Sequence, residues 1–98
     1  MTNKEFLAEV IECKKKGQPS TKLVRGWQKL IAQQWLKRYP KDHHLREDCE
    51  SFAMLMLIKS GLKFMPEKSN NPRAFFIQCI CGAFVNQICM DKHQRIIG

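Results

Sequence analysis

Residues 71–88 read NPRAFFIQCICGAFVNQI, and the rest of the chain is organised around them. Ser69, Asn70 and Asn71 form a turn and capping cluster. Pro72 follows at the first helical position, where its ring already sets φ. Nothing breaks the pattern before Gly98 except Gly82, which a helix tolerates. At about 100° per residue, Ile77, Ile80, Cys81, Phe84 and Ile88 are predicted to share one apolar stripe. Phe75, Cys79, Gly82, Asn86 and His93 fall on the other side. Helices that only support a fold put Lys and Glu outside. This one puts amides, small residues and one aromatic there, the chemistry of a surface that meets something flat and hydrogen-bonding. The plainer account is a central helix buried on both sides.

The chain has 98 residues, which suffices for one domain and a lean core at 44% hydrophobic content. Its formal net charge of +8 and pI near 9.5 favour polyanionic partners. Five cysteines, Cys13, Cys49, Cys79, Cys81 and Cys89, are an odd number, and the mixed polar run at the start is not expected to act as a signal peptide. The expectation is a reducing cytosol with free thiols acting as small hydrophobes. No apolar run is expected to approach bilayer-spanning length.

Upstream, Thr2 with Glu5 fits a capping box, and Phe6, Leu7, Val10 and Ile11 recur at helical spacing. Lys14, Lys15 and Lys16 complement the macrodipole at a helix end that Gly17 closes, and they are expected to be solvated. A second helix starts after Ser20. It carries Leu23, Val24, Trp27, Leu30, Ile31 and Trp35 on one stripe, with both tryptophans as core anchors, and Pro40 stops it. His43 and His44 are expected to be solvent-facing loop residues. A third helix, near 45–60, is expected to bury Leu45, Cys49, Phe52 and Met56. Glu47, Asp48 and Glu50 crowd its start, with Met54, Leu57 and Ile58 read as lying on the side of Glu47 and Glu50. An acidic edge beside an apolar patch suggests a docking surface for a basic protein partner. The expected fold is all-α: a single domain over 1–98, a compact bundle of about four helices near 3–16, 20–38, 45–60 and 72–95.

No phosphate loop, zincin helix or nucleophile elbow is present, and no carboxylate pairs with a His at a plausible spacing inside an apolar stripe, so enzyme activity is not expected. Cys79 and Cys81 lie roughly 200° apart on one helix and cannot share an ion. Cys89 and His93 could, but two ligands do not make a structural site. No metal and no cofactor are expected.

Residues 47–87 resemble region 2 of bacterial sigma factors, and in particular the small late-transcription sigma factors of T-even-like tailed phages. The resemblance rests on three features. These are the acidic-headed helix ending in the KSGLKF of residues 59–64, the eight-residue spacing from Phe64 to Pro72, and the NPRAF of residues 71–75 followed by Gln78 and the AFV of residues 83–85. The N-terminal helices resemble the family's first hairpin more weakly.

The resemblance implies a sigma factor acting in the host bacterial cytoplasm. It would bind core RNA polymerase at the β′ coiled coil through Glu47, Asp48, Glu50, Met54 and Leu57. It would recognise and melt a −10-like promoter element, with Phe75 stacking on a flipped adenine of the nontemplate strand. Lys68, Asn71 and Arg73 would lie beside that strand, and Gln78, Cys79, Gly82 and Asn86 would continue the DNA face. Gln78 and Cys79 stand where housekeeping sigma factors carry a tryptophan pair, a loss the phage family shares. Cys81 and Gly82 replace the Arg and Gln that read the adjacent duplex. A phage co-activator is a further partner consistent with the family, and a membrane is not. Two other functions fit the same residues: an inhibitor or co-regulator occupying the sigma site on polymerase, and a general basic helical nucleic-acid-binding module.

Overall fold

The computed structural model describes residues 2–97, with side chains described as far as Met90. Four helices follow one another: α1 Asn3–Lys16, α2 Thr21–Arg38, α3 Arg46–Ser60 and α4 Pro72–Ile97. A 3₁₀ turn, Gly61–Lys63, continues directly from α3, and no strand occurs among the described residues. This is the all-α bundle of about four helices that the periodicity predicts.

Local chemistry fixes the helix ends. The Thr2 hydroxyl oxygen accepts from the Glu5 N–H at 3.2 Å, and Ser20 accepts from the Leu23 N–H at 3.1 Å. Gly17 ends α1 at φ 80°, a left-handed conformation that suits glycine. Lys14 is not simply solvated, as the basic run suggested. Its Nζ donates to the Phe64 carbonyl at 2.7 Å and ties the end of α1 to the 3₁₀ turn.

The core is aromatic. Trp27, Trp35, Phe6, Phe76 and Phe84 are all fully or almost fully buried. Phe76 meets Phe6 and Trp27 edge-on at 5.3 and 5.5 Å, and Phe84 meets Trp35 edge-on at 5.2 Å. Gly61 leaves room for the Trp27 ring, because a Cβ there would come within 2.5 Å of Cζ2.

Phe76 corrects the predicted stripe. The buried line of α4 is Phe76, Ile80, Ala83 and Phe84, with Ile77, Cys81 and Ile88 only partly buried at its flank. That face is turned by roughly 60° from the one chosen by bulk. The same happens on α3, the helix that packs most extensively against α4. There the buried line is Leu45, Cys49, Ala53 and Leu57, while Phe52 and Met56 are half-buried. In both helices a small alanine takes a core position, which lets the backbones approach.

Two further expectations are corrected. His43 is half-buried, packs edge-on to Trp35 at 5.4 Å, and accepts the Leu45 N–H on Nδ1 at 3.1 Å. The segment Pro72–Met90 does reach bilayer-spanning length and apolarity, at mean hydropathy 1.3, with 22% of it buried inside the bundle. Gln78, Asn86 and Gln87 interrupt its apolar pattern, yet Arg73 is its only charged residue.

Candidate docking and nucleic-acid surfaces

The head of α4 is held by a pair of asparagines far apart in sequence. Asn3 Nδ2 donates to Asn71 Oδ1 at 2.7 Å, while Asn3 Oδ1 accepts the Arg73 N–H at 3.0 Å. Asn71 Oδ1 also accepts the Ala74 N–H at 3.2 Å, and the Asn71 N–H donates to Ser69 Oγ at 3.1 Å. The orphan N–H groups at the helix start are thus taken up by side chains from two elements. Asn71 has a structural duty in addition to any contact with a ligand.

Against this hydrogen-bonded head lies an open groove of about 500 Å³. Phe75 and Phe64 form its apolar floor, with ring centroids 5.6 Å apart, and Lys63, Lys68, Asn71 and Gln78 stand around them. Phe75 is half-buried: it packs against the core and also lines the groove. The groove therefore joins a π-face, two ammonium groups and two amides. Cys79, Gly82 and Asn86 continue along the same side of α4. Gly82 and Asn86 are exposed and Cys79 is half-buried, its thiol pushed above its ordinary value by burial. His93 lies outside the described side chains.

Arg73 does not join this groove, contrary to expectation. It sits two residues before Phe75, roughly 200° around the helix. It opens instead onto a small hollow with Phe6, Gly26, Lys29 and Gln33. Lys63 was missed as a groove residue. It lies within the 59–64 stretch, but its position depends on the 3₁₀ turn, which the helical pattern does not predict.

The head of α3 forms a second surface. Glu47 and Asp48 are exposed, and Glu50 is half-buried and paired with Arg46 at 3.1 Å. Glu50, Ser51 and Met54 line a shallow hollow of about 430 Å³ with Gln28 and Ile31 of α2. Leu57, expected on this surface, is 0% exposed. It points opposite the solvent side of α3, on the line of Cys49 and Ala53. The apolar residues that are exposed are Leu55 and Ile58, at 48% and 47%. Ile58 was expected there. Leu55 was missed, although helical spacing puts it on the line of Glu47, Ser51 and Ile58. The three carboxylates straddle this face rather than forming one edge, with Asp48 on one flank and Glu50 on the other.

The remaining chemistry is quiet. None of the five cysteines is in a disulfide: Cys13 and Cys49 are buried, Cys79 and Cys81 half-buried and Cys89 exposed. Cys13 Sγ accepts the Ser20 N–H at 3.2 Å. Among the described residues, no group of three or more His, Cys, Asp or Glu could hold a metal ion. The Cys89–His93 pair lies partly outside the described side chains. Comparison of the chain with family models, with curated proteins and with solved structures finds no match.

Proposed function

We propose that this chain is a helical binding module with two working surfaces, one for a protein and one for unpaired nucleic acid. Within that class, the reading best supported is a sigma-like transcription factor of the phage late type. Its α3 head would dock on the β′ coiled coil of bacterial core RNA polymerase, and its α4 groove would hold a nontemplate base of a −10-like element. The single observation that carries this is the groove itself. An accessible aromatic face flanked by Lys63 and Lys68, with Asn71 and Gln78 within the same cleft, is what capture of an unstacked base requires. The α3 surface supports it separately. Glu47 and Asp48 offer charge for steering toward a basic partner, and Leu55 and Ile58 offer exposed apolar area.

The test uses purified core polymerase and a promoter with a permanganate-reactive thymine in the melted segment. Glu47→Lys combined with Leu55→Asp should abolish capture of the protein by core enzyme. Phe75→Ala should keep capture and lose promoter opening. Normal opening by both variants refutes the assignment. If core enzyme is captured but no promoter opens with the unaltered chain, the protein is an occupant of the sigma site and not an initiator.

A further inference from the structure

The excess of positive over negative charge in this protein is confined to one part of it. Between residues 13 and 41 there are nine Lys and Arg and not one Asp or Glu. The remaining residues carry eight Lys and Arg against nine Asp and Glu, so they are close to neutral. The whole formal excess of +8 therefore belongs to the end of α1, the turn after it and α2. Neither surface described above lies on that stretch, apart from Gln28 and Ile31 at the edge of one.

On α2 this charge has a shape. Lys22, Arg25 and Lys29 line a hollow of about 320 Å³ with Gly26. Gly26 and Lys29 also line the smaller hollow that Gln33 and Arg73 complete. Sharing those two residues, the hollows form one trough from the outer face of α2 to the head of α4. From Lys22 to Gln33 it follows about 16 Å of helix. Lys22 is held loosely by Glu9 at 4.0 Å. Arg25, Lys29 and Arg73 have no carboxylate within ion-pair distance among the described residues.

We infer that this trough is a contact for the phosphodiester backbone of duplex nucleic acid, separate from the Phe75 groove. Its lining decides between ligands. Both tryptophans of α2 are 0% exposed, so it offers no stacking surface and meets its ligand through charge alone. A face built for anionic lipid sets several apolar side chains among its cations. Here Leu36, two turns beyond Lys29, is the one large apolar side chain exposed on α2. A duplex, whose phosphates are regularly spaced and accessible from outside, suits an unstacked row of cations.

The experiment is the salt dependence of binding to a short mixed-sequence DNA duplex, measured by anisotropy without polymerase, so that its outcome is independent of the proposed function. Arg25→Gln with Lys29→Gln should lower the log–log salt slope by about 1.8, near 0.9 for each lost phosphate contact. Lys4→Gln with Lys59→Gln removes the same charge from elsewhere and should leave the slope nearly unchanged. All four side chains are exposed, and circular dichroism checks that each variant keeps its helices. Equal slope losses for the two pairs, or no loss for the first, overturn the inference. So does capture of the unaltered chain by phosphatidylserine vesicles under salt conditions that abolish duplex binding.

Discussion

Phe75 and Phe76 are neighbours in sequence with opposite duties. Phe76 is 0% exposed and touches Phe6 and Trp27, whereas Phe75 is half-buried against Phe64 and lines the groove. Phe76→Ala should destabilise the fold by about 3–5 kcal/mol in urea unfolding, the range for an enclosed aromatic. Phe75→Ala should cost less than half as much, because its pocket is open to water on one side. Equal costs would show that Phe75 is a core residue and would remove the groove's central feature. The sequence distinguished these rings poorly. Two adjacent phenylalanines are 100° apart, and the choice of core face turned on Ala83, a residue whose contribution is closeness and not bulk. The same holds for Leu57, whose buried line includes the small Ala53.

Helix starts and stops were legible, because caps are local chemistry. Thr2, Gly17, Ser20 and Pro72 each act within a turn of where they stand. What joins one element to another was not. The Asn3–Asn71 hydrogen bond spans 68 positions, and the Lys14–Phe64 bond spans 50. No periodicity announces such pairs. The asparagine pair also makes a measurable claim about how α1 and α4 depend on each other. Asn3→Ala and Asn71→Ala should each cost about 0.5–2 kcal/mol, the range for losing a helix cap. The double variant should fall short of their sum by at least about 0.5 kcal/mol, since both remove the same bond. Strict additivity in a denaturant-melt cycle would mean that the two side chains act separately.

At the scale of the whole molecule, sequence established the all-α class and the excess of basic charge. It left open which surfaces the bundle would leave uncovered, because that depends on how far each helix is turned about its axis. The thiols report this arrangement directly. Cys89 should alkylate first and Cys79 more slowly, because burial both shields its thiol and holds its pKa up. Cys13 and Cys49 should react only when the chain unfolds. Mass spectrometry of peptides after timed iodoacetamide treatment reads the order, and early labelling of Cys49 would contradict the packing of α3. The sign of the Cys79 effect on stability is also fixed. A thiol whose folded pKa is raised contributes stability at and below its ordinary value. That contribution is lost as pH rises through the raised value, so Cys79→Ala should lessen the alkaline fall in stability.

The two tryptophans sit in different company. The Trp35 indole donates to the Pro40 carbonyl at 3.0 Å and stacks on Tyr39 at 4.5 Å, whereas the Trp27 N–H is buried with no partner among the described residues. Intrinsic fluorescence therefore offers two built-in optical probes with separable colours. The unbonded indole should emit toward the blue and follow the bundle interior, and its bonded counterpart should emit redder light and follow the corner between the second and third helices. Replacing either one with phenylalanine would let a spectrometer watch each region come apart without any attached dye.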